Sequence, residues 1–172
     1  MTTTWKTALA AVACAAVLGI ANPAGANCEQ TGLHHGGKPF LQRLAGDWHV
    51  AGTIANRAVD GTVRGAWEGD ELVLQFPAGA AAGAGGIRTV RIRYEARCDE
   101  FRAARDGDPR AGSTGSGISR ANALDITFAP RDGGERTDIS FEGERGDGWR
   151  VVLARQLRTG RWENYGTLSL KR

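Results

Sequence analysis

The sequence predicts an all-β protein: a single antiparallel up-and-down β-barrel of about 8–10 strands with a short N-terminal helix. Three observations support this fold class. Apolar and polar residues alternate in short runs, glycine-rich breaks separate these runs, and no segment after residue 46 has helical periodicity. Because no helices remain to cover an apolar sheet face, the strands must close on themselves or pack as two sheets.

The first 26 residues have the pattern of a secretory signal peptide. Lys6 is followed by the apolar stretch 8–20 and by small residues that end at Ala26. We therefore expect cleavage after Ala26, export to the periplasm or the medium, and no membrane span in the mature chain. An uncleaved anchor is a weaker alternative, and so is lipid attachment at Cys28, because Gly25 and Asn27 fit a lipidation site poorly.

The mature chain is divided into an N-terminal segment, residues 27–46, and a barrel, residues 47–172. A short helix is expected at about residues 39–44, where Phe40, Leu41 and Leu44 share one face. The mature chain keeps two cysteines, Cys28 and Cys98, in an oxidising compartment, which favours a disulfide between the segment and the barrel.

The strands follow from runs of alternating apolar residues. They are expected at residues 47–56, 61–68, 71–76, 87–97, 100–104, 123–129, 136–143, 148–158 and 161–172. The breaks between them include residues 106–117 and the glycine-alanine stretch 79–86. The latter is expected to be a mobile loop, because it has no side chain large enough to anchor it.

Strand parity identifies residues that face the barrel interior. Trp48 in the first strand and Arg172 in the last share the apolar parity of their strands, so they are expected to meet as a cation–π pair at the barrel floor. Further inward candidates could line a ligand pocket: Trp67, Tyr94, Trp149, Arg155, Trp162 and Asn164. The alternatives are ordinary core packing for the aromatics, and a position near the mouth or a bulge for the polar residues.

The stretches "LAGDWHVAGTI", "VRGAWEGDELVLQF", "RTVRIRYEA", "SRANALDITFAP" and "WENYGTLSLKR" resemble lipocalin-like (calycin-type) barrels, in particular the bacterial DUF1579-type proteins. That resemblance implies a barrel and no established reaction. It also implies that Trp48 packs under an arginine at the closed end. The nitrobindin-like haem barrels are similar in length, but they bind iron through a late histidine, and this chain has none after His49.

Other function classes have little support. The net charge of +3 at pH 7 is spread along the chain, unlike the clustered basic face of a nucleic-acid-binding protein. His34 and His35 lie among glycines and are expected to be a loop, and Asp106–Asp108 is expected to be a turn, so neither a metal nor another cofactor is predicted. The sequence also lacks the common nucleophile, phosphate-binding and zinc-protease motifs.

Three functions follow in order of preference. The first is an exported protein that binds a small apolar ligand in the barrel or at its mouth. The second is a ligand-free barrel that acts through its surface as an envelope interaction or inhibitor module. The third is a barrel enzyme of the isomerase or cyclase type. It would require an inward carboxylate or histidine, and parity indicates none.

Overall fold

The computed structural model describes residues 37–81, 86–106, 114–129 and 135–172. Helix α1 is Gly37–Leu44, and a 3-10 helix, Ala78–Ala81, lies between the third and fourth strands. The strands are β1 Gly46–Ile54, β2 Arg57–Glu68, β3 Glu71–Gln75, β4 Thr89–Glu95, β5 Glu100–Asp106, β6 Thr114–Arg120, β7 Ala123–Phe128, β8 Thr137–Gly143, β9 Trp149–Gln156 and β10 Trp162–Lys171.

The ten strands form a closed antiparallel barrel in which each strand pairs with the next, and β10 pairs with β1. The predicted fold class is confirmed, with the strand number at the upper end of the expected range. An up-and-down barrel of this kind is consistent with a lipocalin-like fold.

Alternation along the strands produces one continuous core. In β1, Trp48, Val50 and Ile54 are buried, whereas Ala51 between them is exposed. The inward side chains of the other strands follow the same rule and join these residues in a single apolar cluster. The outer face carries polar and charged side chains, several of them in cross-strand ion pairs such as Arg91 with Glu68.

Helix α1 closes one end of the barrel. Its Phe40, Leu41 and Leu44 are buried, as the sequence predicted for this face. The Phe40 ring centroid lies 5.2 Å from that of Trp149 and 6.4 Å from that of Phe101, so the helix packs directly on the inward residues of β9 and β5. This end is also where the chain enters β1.

Strand β6 was missed by the sequence interpretation, which placed residues 106–117 in a break. Its inward positions include Gly115 and Gly117, so it has no apolar alternation to recognise. A β-carbon at Gly115 would lie 2.9 Å from the Phe128 side chain, and one at Gly117 would lie 2.9 Å from that of Ile126. The large side chains of β7 therefore fill the space that β6 leaves open.

The glycine-alanine stretch 79–86 was expected to be a loop throughout, but it begins in regular structure. Its first residues belong to the 3-10 helix, Ala80 is buried, and the Ile87 amide donates a hydrogen bond of 2.9 Å to the Ala80 carbonyl. A small side chain is thus sufficient for packing here. Residues 82–85 lie outside the described residues.

Candidate functional site

The described interior of the barrel is filled by side chains. Its buried hydrophobic residues are 0–9% exposed, and the largest include Trp48, Trp149, Phe101, Phe128 and Phe141. A void that could admit water would leave accessible area on the side chains that line it, and these have almost none. The space that the described strands and α1 enclose is therefore a packed core rather than an open lumen.

Two of the predicted ligand residues pack beside the helix at the closed end. Trp149 is buried under the guanidinium of Arg43, whose central carbon is 4.9 Å from the ring centroid. Trp67 is partly buried, with the ammonium nitrogen of Lys38 at 5.6 Å from its ring centroid. Both tryptophans thus have an aromatic face against a cation of α1.

Tyr94 is at the same end, and its hydroxyl has a protein partner. It donates a hydrogen bond of 2.6 Å to Asp99 Oδ1 in the turn between β4 and β5, while its ring lies 5.3 Å from Phe101. The hydrogen bond to Asp99, together with partial burial, raises the pKa of Tyr94. This contact anchors the turn and satisfies the polar group that the sequence suggested for a ligand.

Trp48 and Arg172 are adjacent, where strand parity places them. The Arg172 guanidinium carbon is 4.6 Å from the Trp48 ring centroid, and the indole Nε1–H donates a hydrogen bond of 2.9 Å to the Leu44 carbonyl. Trp48 therefore connects the last strand, the first strand and the C-terminal end of α1 in one contact.

The exposed Arg172 should contribute less to the free energy of unfolding than the buried Trp48. Replacing Arg172 with alanine removes a cation–π interaction at an exposed site, and we expect it to lower the free energy of unfolding by about 1 kcal/mol. Urea unfolding measures the change, with Lys171→Ala as the matched exposed control. Equal midpoints for the two variants would contradict a stabilising role for Arg172.

Two predicted inward residues, Trp162 and Asn164, lie on the outer face, and these placements correct the parity interpretation. Trp162 and Asn164 are exposed, because the pairing of β10 with β9 shifts between Asn164 and Gly166 and reverses the parity of the preceding residues. Arg155 keeps its predicted parity and is opposite the buried Thr137, but it lies near the end of β9, where its Nε and Nη2 donate hydrogen bonds of 3.0 and 2.9 Å to Glu163 Oε2. The predicted ligand-binding residues therefore do not line one common interior pocket.

A groove on the outer wall is a stronger candidate than the interior. It has a volume of about 540 Å³ and crosses residues of β5 to β10. It is lined by Glu100, Ser116, Gly117, Ile118, Arg120, Asp125, Thr127, Asp138, Ala154 and Trp162. Ile118 and Trp162, the large hydrophobic side chains that are exposed in the described part of the chain, are each 41% exposed, and both line this groove.

Two carboxylates of the groove are held by hydroxyl groups of the neighbouring strand. Ser140 Oγ donates a hydrogen bond of 2.5 Å to Asp125 Oδ1, and Thr127 Oγ1 donates one of 2.9 Å to Asp138 Oδ1. Partial burial raises the pKa of Asp138, the nearby Asp125 charge raises it further, and the Thr127 hydrogen bond opposes both effects. The groove therefore keeps a carboxylate where its charged form is disfavoured.

Asp138 should consequently reduce stability at neutral pH. Since the pKa of Asp138 is raised in the folded state, protonation of Asp138 favours folding. This stabilisation is complete below the pKa of the unfolded chain and is lost as the pH rises through the higher pKa of the folded state. We expect Asp138→Asn to have a higher urea midpoint than the native protein at pH 7, with the difference vanishing near pH 3. The exposed Asp60→Asn is the control. A lower midpoint for Asp138→Asn at pH 7 would mean that the charged form is stabilised overall.

Sequence reasoning missed the groove residues Ile118, Asp125 and Asp138. Ile118 was detectable in principle, because it is an isolated large apolar residue in a stretch of glycine, serine and arginine. It also missed Arg105, which is inward and buried in β5, with its guanidinium carbon 4.7 Å from the Phe128 ring centroid.

The disulfide and the signal peptide remain predictions. Cys98 lies in the turn between β4 and β5, but Cys28 and residues 1–26 precede the described part of the chain. His34 and His35 lie outside it as well. Within the described ranges, no cluster of three histidine, cysteine or acidic residues is arranged to hold a metal ion. None of the helices described has the length and apolarity of a membrane span.

No protein-family model matches the chain, and no curated protein matches it either.

Proposed function

We propose that the protein is an exported interaction module, a filled barrel that binds a segment of a partner protein in the outer groove. The observation that carries the proposal is the position of Ile118 and Trp162. Both are large, apolar and exposed, and both line one groove instead of being scattered over the surface.

The composition of the groove favours a protein partner. Protein interfaces combine a few apolar or aromatic anchors with a polar surround, and tryptophan is prominent among the residues that dominate binding energy. Here Trp162 and Ile118 supply the anchors, and side chains such as Thr127 and Asp138 supply polar groups beside them. The volume of about 540 Å³ suits a few side chains of an extended segment.

A small apolar ligand inside the barrel is less well supported. Ligand cavities have volumes of roughly 300–1,000 Å³, and an interior ligand of that size would have to displace core side chains such as Phe128 and Phe141, which are fully buried. The second function considered from the sequence, a barrel that acts through its surface, therefore becomes the first.

Export and the DUF1579-type relationship are part of the proposal. Export is supported by the charged, apolar and small-residue order of residues 1–26. The family relationship is supported by the Gly46-Asp47-Trp48 opening of β1 directly after a short helix. Neither relies on the groove.

A disulfide between Cys28 and Cys98 is proposed on the same basis, because an exported chain with two cysteines favours pairing. We expect thiol titration of the denatured, unreduced mature protein to find no free sulfhydryl group. Two titratable thiols per chain would refute the pairing.

The proposed function can be tested by photo-crosslinking in the native host. A photoreactive amino acid in place of Trp162 should yield an adduct with a partner protein of one defined mass. The same amino acid in place of Thr62, an exposed residue of β2, should not. Digestion of the adduct identifies the partner segment and the residues that contact the groove.

Two results would overturn the proposed function. One is the absence of a specific adduct at both Trp162 and Ile118. The other is a small apolar molecule that copurifies in stoichiometric amount with both the native protein and Trp162→Ala by native mass spectrometry, because its binding would then not depend on the groove.

A further inference from the structure

We propose that the partner segment presents a lysine or arginine side chain beside an apolar one: the cation binds at Asp125 and Asp138, and the apolar side chain packs on Trp162 and Ile118. This inference rests on the proposed function, since it names the chemistry of the segment that the groove binds.

The two carboxylates are close neighbours on the outer wall. Asp125 is opposite Ser140, and Asp138 is opposite Thr127, in the antiparallel pairing of β7 with β8. These two residue pairs are separated by the inward pair Ile126 and Ile139, so Asp125 and Asp138 are diagonal neighbours on the outer face, and the Ser140 and Thr127 hydroxyls hold them across the strands. One cation can approach both.

The carboxylates of Asp125 and Asp138 are available to a cation of the partner segment. Four charged residues line it: Glu100, Arg120, Asp125 and Asp138. Glu100 is paired with Arg102 at 2.9 Å, whereas the ion pairs within the described ranges include neither Asp125 nor Asp138. The remaining charges of the groove are the carboxylates of Asp125 and Asp138 and the guanidinium of Arg120. The groove therefore attracts a cationic segment and repels an acidic one.

The partial burial of Asp138 increases the gain from a cation. A carboxylate that has lost hydration interacts more strongly with a nearby positive charge than one in bulk water, because the surrounding dielectric is lower. Binding of a lysine or arginine would therefore stabilise the charged form that burial disfavours. Asp138 is thus the residue that makes binding depend on charge.

The apolar residues of the groove form the part of the proposed site that contacts the apolar side chain of the partner. Trp162 and Ala154 belong to β10 and β9, and Ile118 belongs to β6, so the apolar positions flank the carboxylates of β7 and β8. In an extended segment that crosses these strands, every second side chain faces the groove, so a cationic side chain over the carboxylates would have apolar side chains two residues before and after it. An arginine can also stack on the exposed Trp162 ring.

The test uses defined peptides and the folded mature protein. A blocked hexapeptide of sequence Leu-Ser-Arg-Ser-Leu-Ser, which places arginine and leucine on the same face when extended, is titrated against the isotope-labelled protein and followed by amide chemical shifts. We expect concentration-dependent shifts at Ile118, Ala154 and the Trp162 indole. A citrulline–leucine peptide, which keeps the shape and loses the charge, should bind about tenfold more weakly.

Variants locate the cation site. Asp125→Asn with Asp138→Asn should weaken binding of the arginine peptide about tenfold and leave the citrulline peptide unchanged. Asp60→Asn, on the exposed face of β2, should change neither. The amide spectrum of each variant shows whether it is folded.

The outcomes separate this inference from the proposed function. Equal binding of the two peptides, or an unchanged affinity in the double variant, overturns the inference. If peptide binding does not depend on charge but is lost in Trp162→Ala, the groove remains a protein-binding surface. Absence of any shift in the groove at millimolar arginine peptide also overturns the inference, whereas the crosslinking experiment judges the proposed function independently.

Discussion

Replacing Trp48 with alanine should lower the free energy of unfolding by about 3–5 kcal/mol, as truncation of a buried aromatic residue does. Trp48 is 1% exposed and lies where β1 begins. The change creates a cavity between α1 and the barrel, removes the ring under Arg172, and removes the indole donor of the Leu44 carbonyl. Urea unfolding followed by circular dichroism measures the loss.

A second tryptophan supplies the control for this prediction. Trp162 is exposed on the outer wall, so Trp162→Ala should change the free energy of unfolding by no more than about 0.5 kcal/mol. The two variants remove the same side chain from opposite faces of one sheet. If Trp48→Ala unfolds at the native midpoint, Trp48 does not close the barrel, and the description of that end is wrong.

Residues whose environment depends on local alternation were predictable from sequence. The alternation Trp48, Val50, Ile54 identified the inner face of β1, and the parity of β10 placed Arg172 at the same end. Parity succeeds here because the pleat turns each second side chain to the same face, and nothing interrupts the pleat between Gly166 and Lys171.

Features that depend on a neighbouring strand were not predictable. β6 has glycine at two inward positions because Phe128 and Ile126 of β7 occupy the space, and this complementarity is invisible within β6 itself. The irregular pairing between Asn164 and Gly166 likewise moved Trp162 from the expected interior to the outer wall. Strand pairing, not strand propensity, decided both positions.

The groove was hidden for a related reason. Its residues come from six strands and alternate with core residues, so each one looks like an ordinary outward side chain in its own strand. Only closure of the sheet brings Asp125, Asp138 and Trp162 to one surface. A function that uses the outer wall of a barrel leaves a weaker sequence signal than one that uses an inward carboxylate or histidine.

Replacing Gly52 with valine should lower the free energy of unfolding by about 3 kcal/mol or more, because it adds volume where two backbones approach closely. Gly52 is opposite Leu168 of β10 and Val59 of β2, at the pairing that closes the barrel. A β-carbon there would lie 2.8 Å from Leu168 Cα and would overlap the Thr167 carbonyl oxygen. Strands paired on both sides cannot separate without loss of hydrogen bonds.

The neighbouring residue gives a matched control for Gly52→Val, with urea unfolding as the measurement. Ala51 belongs to the same strand but is exposed on the outer face, so Ala51→Val should change the free energy of unfolding by no more than about 0.5 kcal/mol. A difference between the two valines isolates the close approach of β1 to β10 from the strand propensity of valine. If Gly52→Val is as stable as Ala51→Val, the two strands do not approach as closely as described, and β10 need not be the strand that closes the barrel against β1.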